Sequence, residues 1–168
     1  MKITVKLWFL LMLSISALVT GCGFQLRGQA DIPYTSLYVD GNPGSPLVGN
    51  LQRMIRAGGH KNRLAKSSDT AERTIQILSE ASNKVILSLS GTGRVGEYQL
   101  QYRVKYRLLA PKGKEILAPT EIVLSRDMSY NDTLVLAKGS EEQLDYRDMQ
   151  NDAAQQILRR IALLHQTR

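Results

Sequence analysis

EYQLQYRVKYRL, residues 97–108, alternates without a break. Tyr98, Leu100, Tyr102, Val104, Tyr106 and Leu108 fall on one parity, and Glu97, Gln99, Gln101, Arg103, Lys105 and Arg107 fall on the other. A period of two over a full segment predicts a strand with one buried face and one wet face, as in an antiparallel sheet covered on one side. Downstream, Ala110-Pro111-Lys112-Gly113-Lys114 supplies a turn, and Ile116, Ala118, Thr120, Ile122 and Leu124 continue the alternation on a further strand. Upstream, Ile75, Ile77, Val85, Leu87 and Leu89 share a parity opposed to Gln76, Glu80, Ser82, Lys84 and Ser88, with Leu78 and Ile86 interrupting. That predicts a long strand from Thr74, bulged near residues 79–83.

Helical patterns flank these strands. Ser45-Pro46 places an N-cap before a proline at the first helical position, and Leu47, Val48, Leu51, Met54 and Ile55 recur at helical spacing until Gly58-Gly59. Near the end of the chain, Ser140 and Gln143 form a capping box, Glu141, Glu142 and Asp145 suit a helix N-terminus, and Arg159, Arg160 and His165 suit its C-terminus. Tyr146, Met149, Ala153, Ile157, Ile161 and Leu164 make the apolar stripe. Tyr34 to Asp40 reads as a first strand ended by Asp-Gly-Asn-Pro-Gly, and residues 57–73 read as a surface loop. The fold class expected is α+β: two helices on one face of a four-stranded, mainly antiparallel sheet, in the order β-α-β-β-β-α.

The start of the chain addresses it to a compartment. Lys2 and Lys6 precede an apolar stretch from Leu7 to Val19, too short to span a bilayer, and Val19-Thr20-Gly21-Cys22 follows. This resembles a bacterial lipobox, in which the cysteine thiol is acylated and the leader is cut off before it. A thiol suits that role because its thiolate is a strong nucleophile near neutral pH. Residues 1–21 are then a signal peptide, 22–33 a lipidated linker and 34–168 a single domain. Several acyl chains on Cys22 make a lasting anchor where one is marginal. Gly23, where retained lipoproteins of enteric type carry Asp, points to the outer membrane. Cys22 is the only cysteine, so no disulfide is available and packing alone must hold the core.

Of the +7 formal charge, Lys2 and Lys6 belong to the leader; the remaining 20 basic and 15 acidic residues keep an excess of five. That suits an anionic partner, and an envelope address disfavours nucleic acid. Catalysis finds little support. Gly91-Thr92-Gly93-Arg94-Val95-Gly96 spells G-x-G-x-x-G, but the segment behind it is a strand, where a dinucleotide site needs a helix N-terminus. His60 and His165 have no companions at metal-ligand spacing, so neither a metal nor a cofactor is expected. Arg103, Lys105 and Arg107 line the wet face of one strand, while Arg94 and Lys138 sit at loop positions. These five are the candidate anion contacts, Arg being suited to bidentate binding of phosphate. An acidic polysaccharide or cell-wall polymer is one ligand class for such a face.

Gly21-Cys22-Gly23-Phe24-Gln25-Leu26-Arg27, the Glu97-Tyr98-Gln99 that opens the alternating strand, Leu136-Ala137-Lys138, and Met149 with Ala153-Ala154 and Gln156 together resemble the lipopolysaccharide-assembly lipoprotein family, LptE. The resemblance implies two helices against a four-stranded sheet. It implies a non-enzymatic protein anchored by its acyl chains in the inner leaflet of the outer membrane. There it plugs the lumen of the LptD β-barrel one to one, aids assembly of that barrel, and forms with it the translocon that delivers lipopolysaccharide to the surface. It further implies lipopolysaccharide binding through basic residues near the sheet end, with Lys138 at the matching position and Arg94 displaced toward the strand.

Overall fold

The computed structural model describes residues 32–58 and 63–166. Its elements are β1 (Ser36–Asp40), α1 (Pro46–Ala57), β2 (Arg63–Leu64), β3 (Arg73–Leu89), β4 (Val95–Leu109), β5 (Glu115–Ser129) and α2 (Val135–Gln166). The strands form one sheet in the order β2-β1-β3-β4-β5, with β1 parallel to both neighbours and β3, β4 and β5 antiparallel. The expected order therefore holds, with one addition. The stretch read as loop between residues 57 and 73 contributes the two-residue strand β2 and a 3₁₀ turn at Ser68–Thr70.

The alternation of β4 is what organises the core. Leu100, Tyr102, Val104, Tyr106 and Leu108 are fully buried beneath the helices, and each apolar side chain taken from water contributes roughly 1.5–3 kcal/mol. Leu37 and Val39 of β1, Ile75 of β3 and Ile122 and Met128 of β5 extend that apolar floor. Leu47, Val48, Leu51 and Ile55 of α1, and Met149, Ala153, Ala154, Ile157, Leu158 and Ile161 of α2, close it from above. The helices share a half-buried polar contact in which Asn50 donates to Asn151 at 2.6 Å.

Two local expectations are corrected. Ile77 pairs with Tyr106 but Ser79 pairs with Lys105, so Leu78 is an extra residue at which the pleat of β3 reverses. Beyond it Glu80, Ser82, Lys84 and Ile86 stand opposite Val104, Tyr102, Leu100 and Tyr98, on the helix side. Val85, grouped by sequence parity with Ile75 and Ile77, is exposed on the open face because the bulge shifted its phase; Leu87, skipped between Ile86 opposite Tyr98 and Ser88 opposite Glu97, and Leu89 lie beyond further register shifts and are exposed as well. The second correction concerns Ser140, which is not an N-cap. The last helix begins at Val135, after a 3₁₀ turn at Asp132–Leu134 in which the Asn131 side chain caps the Thr133 amide, and Ser140 Oγ donates to the carbonyl of Leu136 inside the helix.

The G-x-G-x-x-G segment is a hairpin turn, as its context predicted. Ser90 N donates to Arg94 O at 2.7 Å and Gly93 takes φ +77°, a left-handed conformation that glycine adopts at no steric cost. The lipobox, Cys22, His60 and the side chain of His165 lie outside the described residues.

Candidate functional site

The five candidate cations fall into two groups. Arg103, Lys105 and Arg107 stand in a row on the face of the sheet that carries no helix, and Arg94 and Lys138 sit at the end of the sheet where the β3–β4 hairpin meets the start of α2.

Within the row the three are not equivalent. Arg107 is tied down: its Nε donates to Gln76 at 2.6 Å, Gln76 donates to Asp40 at 2.7 Å, and its guanidinium lies 3.8 Å from Glu115. This polar ladder crosses β1, β3, β4 and β5 and fixes the side chain along the sheet. Arg103 makes one long contact, to Gln101 at 3.4 Å, and Lys105 has no ion pair among the described residues although Glu121 is its register partner. Arg103 and Lys105 are exposed and thus the two cations of the row whose charge is open to an anion.

At the sheet end, charge is largely answered. Arg94 lies 3.8 Å from Asp132 and is three-quarters exposed, a geometry of small energetic worth. Lys138 donates to Glu141 at 2.7 Å and to Ser129 at 3.2 Å, with only 15% of its side chain exposed. It sits in the first turn of α2 because that helix starts earlier than its sequence signals indicate. The sheet end is braced by Tyr98 and Tyr130, whose rings meet edge to face at 5.1 Å.

Sequence reasoning missed two organising residues. Glu80, turned to the helix side by the bulge, accepts hydrogen bonds from Tyr102 at 2.7 Å and from Ser45, the N-cap of α1, at 2.5 Å. Burial, together with Glu80, pushes the Tyr102 phenol well above its ordinary pKa. No spacing could signal this, since the contact depends on an extra residue in β3. Arg126 of β5 lies 3.1, 3.2 and 3.5 Å from Asp145, Asp148 and Asp152 of α2, and the Asp145 hydrogen bond leads the interactions that raise its pKa. Here a signal existed: carboxylates at i, i+3 and i+7 make a stripe on one helix face that asks for a cation.

The arrangement offers charge and shape. Among the described residues no group of acidic, histidine or cysteine side chains is placed to hold a metal, and no helix is long and apolar enough to cross a membrane.

Comparison with known proteins agrees with this architecture. The family model for lipopolysaccharide-assembly, LptE, matches residues 34–161. The LPS-assembly lipoprotein LptE of Pectobacterium atrosepticum is 28% identical over 165 residues, spanning 94% of this chain and 86% of that protein. Its counterpart in Yersinia enterocolitica is 28% identical over 163 residues, spanning 93% and 76%. The solution structure of an uncharacterized lipoprotein B from Nitrosomonas europaea superimposes with a TM-score of 0.74 at 38% identity, covering 86% of this chain and 93% of that one. The crystal structure of the rare lipoprotein B from Shewanella oneidensis gives 0.67 at 25%, covering 79% and 97%. The match runs from the buried Tyr34 to the buried Ile161 and takes in the sheet and both helices, and the chain belongs to the LptE family of lipopolysaccharide-assembly lipoproteins.

Proposed function

We propose that this chain is acylated at Cys22, held on the periplasmic side of the outer membrane, and seated as a one-to-one plug in the lumen of the LptD β-barrel. It aids maturation of that barrel and forms with it the translocon that delivers lipopolysaccharide to the outer leaflet. Family membership carries the coarser part, a lipoprotein role in lipopolysaccharide assembly without catalysis. The single observation behind the rest is the match of the family model over residues 34–161, together with a folded body that suits a plug.

A barrel lumen is polar, so its occupant must keep a wet surface while remaining rigid. The uncovered sheet face meets both needs: Arg103, Lys105 and Arg107 stand on a long strand whose other side is buried from Leu100 to Leu108. Lipopolysaccharide carries phosphates, and the exposed Arg103 and Lys105 are the cations of that row most open to them. Lys138 and Arg94 serve as a second contact only if phosphate displaces Glu141 and Asp132, since both cations are already paired.

The test is a detergent pull-down of the mature chain tagged after Arg168, with mass spectrometry of its N-terminal peptide and of its partners. Acylated Cys22 with an equal amount of a large β-barrel supports the reading. Acylated Cys22 with no barrel removes the plug role and turns attention to an acidic envelope polymer.

A further inference from the structure

The register of the sheet leaves an edge open inside it. β1 pairs with β3 only as far as Asp40 opposite Gln76, whereas β3 runs on to Leu89. From Ile77 onward, therefore, the side of β3 that faces away from β4 has no strand beside it among the described residues. In an antiparallel pair alternate residues turn their N–H and C=O groups outward, so this edge presents a row of backbone donors and acceptors. One is already used, for the Tyr146 hydroxyl donates to Asn83 O at 2.8 Å.

The side chains along that edge are unusual for a free one. Leu78, Val85, Ile86, Leu87 and Leu89 are all exposed, from 41% to 60%, in a run that contains no proline. The opposite edge of the same sheet is guarded by the usual devices: β5 carries Pro119 together with Glu115, Glu121 and Asp127. The fold blocks strand addition on β5 and leaves an apolar edge bare on β3. The near end of the edge opens onto a groove of about 560 Å³ between Asn42–Pro46 and residues 77–82, so an incoming chain has room before it reaches β1.

We propose that the Ser82–Leu89 edge of β3 accepts an extended segment of the barrel partner as an added strand. This rests on the reading in which the partner is a β-barrel. The chemistry of the edge defines the segment. It is extended, so that its backbone satisfies the open row, and it carries polar residues where it meets Ser82 and Lys84 and apolar ones where it meets Val85, Ile86 and Leu89. Main-chain bonding gives the attachment and the apolar residues set the register.

A photo-crosslinking amino acid at Leu87 and, separately, at Glu121 of the full acylated chain, combined with hydrogen exchange of the purified complex, tests this. The expected result is an adduct between position 87 and the barrel, none from position 121, and outward-facing backbone amides in Ser82–Leu89 that exchange at least tenfold more slowly in the complex than in the free chain. The double variant Val85→Lys, Leu87→Lys should keep the thermal stability of the free chain and lose that protection. A barrel that co-purifies while the amides exchange as before overturns strand addition and leaves the plug reading standing. An adduct between two copies of this chain overturns it in favour of self-association. Failure of any barrel to co-purify overturns both proposals together.

Discussion

Lys84 Nζ lies 2.6 Å from Glu142 Oε2, and the same ammonium stands 4.2 Å above the centre of the Tyr98 ring. This contact joins the overhanging arm of β3 to α2 and to β4 at one point. The charges are about one-quarter to one-third exposed, so the ion pair alone is worth a fraction of a kcal/mol, and the cation–π contact adds about as much again. Lys84→Met, which keeps the stem, should cost about 1 kcal/mol, read as a drop in melting temperature of roughly 4 °C. At about 1 M salt, where the screening length is near 3 Å, the ionic share of that loss should vanish and the remainder persist. Equal losses at low and high salt would mean that Lys84 acts through packing alone.

Arg126 makes a stronger case because one guanidinium answers three carboxylates. Asp145, Asp148 and Asp152 repel one another along α2, and among the described residues Arg126 of β5 is the cation paired with all three. Arg126→Met leaves three like charges without their cation. The expected loss is about 1–2 kcal/mol in urea unfolding, larger than for a single surface pair because a network is broken. The loss should shrink as salt is added, since screening relieves the aspartates. The triple variant Asp145→Asn, Asp148→Asn, Asp152→Asn placed on Arg126→Met should restore most of it.

How far the sequence reveals this molecule depends on the range of the cause. Strand β4 and its buried face are plain from residues 97–108, because alternation is a local property and a core on one side is its direct result. Helix α1 is equally plain, its Ser45-Pro46 start being chemistry confined to two residues. The phase of β3 beyond Leu78 could not be read in the same way. A bulge is decided by pairing with β4: one extra residue at Leu78 transfers Val85 from expected core to surface, and a second shift skips Leu87. The start of α2 misled for a related reason, since Ser140 and Gln143 carry a capping signature while Asn131 provides the cap nine residues earlier. Of the candidate cations, the row on β4 follows from the alternation itself. The pairing of Lys138 with Glu141, and that of Arg94 with Asp132, required the structure.

Phenols taken wholly or partly out of water give the chain a defined response to alkali. Desolvation raises the pKa of Tyr102, helped by Glu80; it raises Tyr106 against the opposing effect of Arg160, and it raises Tyr146 with help from Glu142. A pKa higher in the folded than in the unfolded chain means that the folded state holds its proton longer. Stability is therefore unaffected below the unfolded value near 10 and falls as the pH rises above it, by up to about 1.4 kcal/mol per pH unit for each phenol. Urea midpoints measured from pH 8 to 11.5 should be flat to about pH 10 and then decline. Tyr102→Phe should flatten the decline while lowering the plateau by about 1 kcal/mol, because Glu80 then keeps only Ser45. An unchanged alkaline slope in Tyr102→Phe would show that Tyr102 does not contribute to the transition.

Arg107 and Lys105 lie two positions apart on β4 and point the same way, yet their surroundings assign them different duties. Arg107 is held by Gln76 and Glu115, so most of its charge is spent within the protein; Lys105 has no ion partner among the described residues. If lipopolysaccharide is bound on this face, Lys105→Ala should weaken binding of the purified chain to it by roughly five- to tenfold, equivalent to about 1–1.4 kcal/mol, with little change in melting temperature. Arg107→Ala should do the reverse, lowering stability by about 1 kcal/mol through the broken ladder to Asp40 while affecting binding less. Both constants come from titration and thermal unfolding of the same two variants. Loss of binding in both variants in proportion to their loss of stability would remove the open sheet face as the contact. It would shift the assignment to Lys138 and Arg94, whose charge reversal could then be measured in the same way.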